Sequence, residues 1–195
     1  WGEALWDYRA SDALLAERDY WLSQYQVPVA ALPMDRPEAA PLMSSSRSVS
    51  VSLSQQATAD LLQRCHGPYR TQINDLLLAG VYLGLRDWGG VSGVRLALEG
   101  HGREDLFAHL DTTQTVGWFT SLYPLTLHSA SQDVGEVIKA VKQQYRELPN
   151  RGLGYGVLRE LAQDEALMAA EQASTPASVL FNYLGQFDQT LNEAK

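Results

Sequence analysis

VRLALEGHGRE, residues 94–104, reads as a strand that runs straight into a turn. Val94, Leu96 and Leu98 alternate with Arg95, Ala97 and Glu99. That is the period-two pattern of a half-buried strand, and it leaves Glu99 on the less apolar face at the exit. Gly100 and Gly102 follow at once and permit close backbone approach. A carboxylate leaving a strand beside such a turn is a candidate general acid or base, although the same pattern describes an exposed turn with a charged rim. His101 can be read as a ligand, a proton shuttle or a residue that fills the turn, and no second histidine stands at metal-ligand spacing such as HExxH.

Working upstream, residues 71–87, around NDLLLAGVYLGL, predict a strongly apolar, buried helix that ends where Gly89 and Gly90 break it. Ser54 is placed to cap a helix whose apolar face is Ala57, Leu61, Leu62 and Cys65. Ser48, Ser50 and Ser52 alternate with Val49, Val51 and Leu53, which predicts a half-buried strand. Residues 26–47 carry Pro28, Pro33, Pro37 and Pro41 and read as an extended connector, because each ring removes a donor and disfavours helix before it. From Ser11, a capping residue, Leu14, Leu15, Trp21, Leu22 and Tyr25 recur at helical spacing over roughly residues 11–25.

Downstream, the aromatic and β-branched run from Val116 to Leu127 predicts a strand bent near Pro124. Val134, Ile138, Val141 and Tyr145 share a helical face, Asp133 with Glu136 resembles a capping box, and Pro149 stops that helix. A short helix near 156–163 and a strand near 178–184 complete an α/β reading without internal repeats.

At 195 residues and 45% hydrophobic content the chain is long enough for one domain, or a large lobe, with its own apolar core. A formal net charge of −8 supplies no basic excess to displace counterions, which argues against nucleic acid and favours small molecules or protein partners. The single cysteine, Cys65, can form no internal disulfide and supplies no metal-binding pair, so the composition suits a reducing cytoplasm. The longest apolar stretch, Leu76 to Leu85, is half the ~20 residues that a membrane span needs. The opening WGEALWDYRASD lacks both a signal-peptide pattern and an initiator methionine, and so reads as the start of an excised fragment. Known catalytic fingerprints fail as well. PNRGLGYG at 149–156 has Val157 where a dinucleotide motif needs glycine, no GKS or GKT loop occurs, and GVSG at 90–93 lacks the GxSxG spacing. VGWFTSLYP at 116–124 reads on pattern alone as core or interface, and the Asn182–Tyr183 pair as a satisfied buried strand.

Taken in order, EGHGRE (99–104), TVGWFTSLYP (115–124), PNRGLGYG and FNYLGQFD (181–188) resemble the epimerization domains of nonribosomal peptide synthetases, within the condensation superfamily. LPMDRP at 32–37 looks like the inter-lobe region of that superfamily, and the resemblance covers essentially the whole chain. It implies an α/β, chloramphenicol acetyltransferase-like fold: two lobes in a V, each a mixed sheet packed with helices, with the active site in a tunnel between them. Residues 1–195 match the C-terminal lobe. The family's N-terminal lobe carries an HHxxxDG motif in which none of His66, His101, His109 and His128 sits, so that lobe and its catalytic histidine are expected to be absent and the chain inactive alone.

The implied activity is L-to-D epimerization at Cα of an aminoacyl or peptidyl thioester. No cofactor is bound directly; the 4'-phosphopantetheine arm of a peptidyl carrier protein presents the substrate. Further implied partners are the N-terminal lobe and neighbouring synthetase domains, with neither nucleic acid nor membrane. Glu99 corresponds to the family's acid/base group opposite the histidine. Asn182 and Tyr183 resemble tunnel residues that hydrogen-bond the developing oxyanion or orient the thioester, with His101 beside them in an orienting role, and no metal is implied. Gly152, Gly154 and Gly156 shape a loop. Gln114 departs from the family, which has arginine before TVGWFT, and this puts tuning or activity of the site in doubt. Two alternatives remain open: an amide-forming condensation lobe, and a noncatalytic carrier-docking module.

Overall fold

The computed structural model describes residues 1–40 and 42–185. Helices α1 (Gly2–Tyr8) and α2 (Asp12–Gln26) lead into the proline-rich segment, in which the Ala39 N–H closes a turn on the Arg36 carbonyl at 3.1 Å and Met43–Ser45 forms a 3₁₀ turn, so the expected connector is not extended throughout. Helices α3 (Gln55–Ala59), α4 (His66–Tyr69) and α5 (Ile73–Gly89) follow, with a π-helical turn at Asp60–Arg64 between the first two. Strands β1 (Gly93–Gly100) and β2 (Ser121–His128) precede α6 (Val134–Arg146), α7 (Leu153–Gly156), α8 (Glu165–Gln172) and β3 (Val179–Phe181). The sheet order is β2-β1-β3, and β1 and β3 run parallel with Leu96 opposite Val179, Ala97 opposite Leu180 and Leu98 opposite Phe181. Among the described residues no helix is long and apolar enough to cross a membrane.

The chain folds as two compact units. Of the described residues, one comprises 1–27, 95–126 and 148–185, the other 28–40, 42–94 and 127–147. In the first, Ser11 caps α2 as expected by accepting from the Leu14 N–H at 3.2 Å. The buried stripe of α2 differs from the predicted face. Leu15 is 53% exposed, and the buried residues are Leu14, Glu17, Trp21 and Gln24, at spacings of three and four. Two of these are polar, and each is satisfied. Glu17 accepts from the Tyr8 hydroxyl at 3.0 Å, Trp21 Nε1 at 3.1 Å and Asn150 Nδ2 at 2.6 Å. The Gln24 side chain accepts from the Thr126 N–H at 2.9 Å, while its backbone carbonyl accepts from Thr126 Oγ1 at 2.8 Å and from Arg95. Full burial of Leu14 contributes roughly 1.5–3 kcal/mol relative to exposure, and Trp21 is fully buried beside it.

In the second unit, α5 runs into Gly90 at φ 62°, the expected stop, and buries Leu78, Ala79 and Tyr82. The Tyr82 hydroxyl donates to the Ser92 carbonyl and accepts from the Ser129 N–H, both at 2.9 Å. Helix α6, capped by Asp133 through the Glu136 N–H at 2.9 Å, packs against α5 and buries Val137 and Val141. Val134, expected on that face, points outward.

Two further expectations are corrected. Residues 48–53 form no strand, and Val49 and Val51 are each 90% exposed. Alternation creates two faces, but a strand also needs a paired neighbour, and none of the described strands supplies one. The predicted 116–127 strand begins only at Ser121, because residues 116–120 follow a loop held by side-chain contacts. The helix after Ser54 is broken by the π-helical turn and leaves Cys65 exposed. Helix α8, which the sequence reading did not pick out, is capped by Asp164 through the Leu167 N–H at 2.9 Å.

Asp164 also accepts from Arg18 Nε at 2.5 Å, and that bond holds its carboxyl below the ordinary carboxylate range. A depressed folded-state value stabilises above the unfolded value, near 3.9, and the contribution disappears as pH falls through the lowered value. Asp164→Asn retains a capping oxygen but loses the charge. It is expected to cost under ~1 kcal/mol at pH 7 in urea unfolding. The gap should close below about pH 4. A deficit of equal size at both ends of that range would rule the ion pair out as its cause.

Candidate active site

Strand β1 sets the site through its pleat. Val94, Leu96 and Leu98 are buried on one face, while Arg95, Ala97 and Glu99 on the other line a cleft of about 860 Å³ in the first unit. That size falls within the range of small-molecule sites. Tyr25, Trp118, Tyr123 and Tyr155 form aromatic walls. Glu99 is half-buried. The parallel register that pairs Leu98 with Phe181 carries one residue further, so that Asn182 Nδ2 donates to Glu99 Oε2. Two sequence-predicted residues are therefore brought together by strand pairing.

The other two behave differently. Tyr183, next in the chain after Asn182, is half-buried and makes no such bond to Glu99, and neither it nor the exposed Asn182 lines the cleft itself. His101 is exposed and committed to its own turn: Nδ1 accepts from the Arg103 N–H at 3.0 Å, and Nε2 lies 3.2 Å from Glu104 Oε1. Gln186, Phe187 and Asp188 of the FNYLGQFD segment lie outside the described residues. Among the described residues no three of His, Cys, Asp and Glu cluster as metal ligands.

The turn that carries Glu99 is fixed from several sides. Gly102 has φ +65°, and a Cβ there would stand 1.6 Å from the Phe119 carbonyl oxygen, so no side chain fits. Arg103 donates to the carbonyls of Thr112, Thr115 (2.8 Å) and Gly117 (3.5 Å), with its guanidinium carbon 4.0 Å from the Phe119 ring centre. This clamp presents Trp118, 91% exposed, at the cleft. Glu104 is shared between His101 and Arg151 Nε, the latter at 3.5 Å.

The glycine-rich segment at 149–156 supplies the opposite wall. Asn150 (φ 42°) and Arg151 (φ 49°) occupy the left-handed region that L side chains rarely adopt. The Asn150 bond to Glu17 holds them there, and Gly154 must lack a Cβ because one would lie 2.1 Å from a Glu17 carboxylate oxygen. A Cβ on Gly156 would meet nothing within 4 Å, so the loop-shaping role expected of these glycines is a packing role at Gly152 and Gly154. It positions Tyr155, whose hydroxyl lies 2.6 Å from that of Tyr25. Burial pushes both phenols above their ordinary range.

Arg95, which alternation places on the less apolar face of the strand, is buried. Nε donates to Thr126 Oγ1 at 3.0 Å, and the two terminal nitrogens donate to the carbonyls of Thr175 (2.6 Å) and Gln24 (2.9 Å). Desolvation lowers its pKa. Arg159 is paired with Glu171 at 2.8 Å and with Glu160. Sequence reasoning missed Tyr25, Arg95, Arg103 and Tyr155. Arg103 and Tyr155 stood inside the EGHGRE and PNRGLGYG motifs, where the neighbouring glycines were the available signal, and Arg95 stood in the alternating strand before them.

The condensation domain family model matches residues 1–195. One linear gramicidin synthase polypeptide of Brevibacillus parabrevis is 43% identical over 195 residues, which cover 99% of this chain and 2% of that protein. Bacitracin synthase 2 of Bacillus licheniformis is 40% identical over 190 residues, 97% of this chain and 7% of that one. The chain therefore spans under a tenth of the length of these relatives. Among solved structures, the epimerization domain from the third module of tyrocidine synthetase B matches with TM-score 0.75 at 40% identity, over 80% of this chain and 35% of that one. The condensation domain of Monacolin K polyketide synthase matches over 78% of this chain and 37% of that one, with TM-score 0.59 at 20% identity, a likeness of fold alone.

Gly102→Ala is expected to destabilise the protein by at least ~2 kcal/mol and to speed amide exchange across residues 112–120. Gly84→Ala provides the contrast, since a Cβ there meets nothing within 4 Å in helix α5. It should stabilise by roughly 0.5–1 kcal/mol. Chemical denaturation of both variants, with exchange mass spectrometry on the first, checks the pair.

Proposed function

Because the chain belongs to the condensation domain family, we propose that it is the C-terminal lobe of an epimerization domain of a nonribosomal peptide synthetase, acting on a carrier-bound aminoacyl or peptidyl thioester. The observation that carries this reading is the Glu99–Asn182 hydrogen bond beside an aromatic cleft. It joins the EGHGRE and FNYLGQFD segments in a chain 40% identical to a solved epimerization domain.

The chemistry required is modest in atoms and demanding in placement. A base on one face removes the Cα proton, and the electron pair delocalises into the thioester carbonyl as an enolate. An acid on the opposite face then returns a proton to Cα, so only the configuration changes. Glu99 serves one face. Asn182 donates to Oε2, fixing the carboxylate's orientation, while Oε1 has no hydrogen-bond partner among the described residues and is free to exchange a proton. A histidine of the N-terminal lobe serves the other face. The 4'-phosphopantetheine arm of a peptidyl carrier protein delivers the thioester, and neighbouring synthetase domains in the cytoplasm supply and consume it.

A synthetase that joins this chain to its N-terminal lobe, supplied with L-aminoacyl carrier protein in D2O, should incorporate deuterium at Cα and form D-product. Glu99→Gln should slow incorporation on the order of 10²-fold or more. Undiminished exchange in the variant would remove Glu99 from the mechanism. Amide product with unchanged L configuration would establish the condensation reading instead, and carrier binding without any exchange would establish a docking module.

A further inference from the structure

The cleft holds a second polar feature on the wall formed by α2 and α7. The hydroxyl oxygens of Tyr25 and Tyr155 lie 2.6 Å apart, and both residues line the cleft. Each phenol carries one proton, and only one proton can occupy the space between the two oxygens. The other is left over, and neither hydroxyl has a further partner among the described residues. We propose that this hydroxyl pair donates a hydrogen bond to a carbonyl oxygen of the substrate held in the cleft.

Both rings are braced from behind. The Arg95 guanidinium carbon sits 4.7 Å from the Tyr25 ring centre, and the Tyr155 ring packs on Trp21 with centres 5.2 Å apart. The donor is therefore preorganised, which reduces the ordering cost of binding. Its neutrality selects the ligand chemistry. Arg95 and Arg159 are both engaged by protein acceptors, so neither stands ready for a phosphate, whereas a neutral phenol between aromatic walls matches a neutral carbonyl. Burial keeps both phenols protonated through the neutral range.

The assignment rests on the proposed function in taking a carrier-bound acyl thioester as the ligand. Two carbonyl sources share the chemistry: the acyl group itself and the amides of the pantetheine arm. Tyr25→Phe, Tyr155→Phe and the double variant, made in the synthetase that carries this chain, separate them. Calorimetry with a stable aminoacyl-pantetheine amide reads Kd. Cα exchange reads KM and kcat with aminoacyl carrier protein and with an aminoacyl ethyl thioester, which carries no amide.

The double variant should raise Kd and KM about five- to tenfold, with the effect carried by KM, and each single variant, which leaves one hydroxyl able to donate, by less. A loss with both thioesters assigns the acyl carbonyl, and a loss with the carrier substrate alone assigns an arm amide. Unchanged Kd in variants with native near-ultraviolet circular dichroism overturns the proposal. So does a fall in kcat at unchanged Kd, and so does an analogue that fails to bind the unmodified protein. If the unmodified protein binds the analogue but exchanges no Cα proton, the epimerase reading fails while Kd still decides the role of the tyrosines.

Discussion

The Glu17 carboxylate is the constraint on which the first unit depends. It is buried, and three neutral donors hold it: Tyr8 from α1, Trp21 from α2 and Asn150 from the glycine-rich loop. A buried carboxylate is expensive unless its lone pairs are satisfied, so the three elements must converge for the charge to be tolerated. That demand makes the interaction structural in a way that an additional leucine could not be. It also sets the conformation of residues 150 and 151, against their intrinsic preference, and the small size of residue 154. Tyr155 reaches the cleft because the loop before it is held in this way.

Arg95 plays the corresponding part on the sheet. Its three named hydrogen bonds tie β1 to the end of α2, to β2 and to the segment before β3, while its guanidinium faces the Tyr25 ring. Every donor in that set meets a neutral acceptor, so orientation counts for more than charge. The cleft thus rests on two buried ions of opposite sign. One organises a loop and the other a sheet edge, and each is satisfied by dipoles.

Elements specified by local chemistry were legible in the sequence. Ser11, Ser54 and Asp133 cap as their side chains require, and α5 begins and ends within two residues of its predicted bounds, while α6 buries Val141 as expected but turns Val134 outward in favour of Val137. The buried face of α2 was not legible, because Glu17 and Gln24 occupy core positions that a hydrophobicity pattern assigns to solvent. Val49 and Val51 misled in the opposite direction, since alternation says nothing about whether a partner strand exists. At the site, Glu99 and Asn182 could be named from motif resemblance, yet their contact depends on a parallel register between segments 83 residues apart. Tyr25 belongs to no motif, and only the tertiary structure brings it beside Tyr155.

The Arg103 clamp has an evolutionary consequence. Its guanidinium engages the carbonyls of residues 112, 115 and 117, groups that every amino acid provides. Side chains along that loop can therefore change without releasing it, and Gln114 stands exposed upon it. The rim's surface chemistry can vary in this way while the indole of Trp118 keeps its place at the cleft.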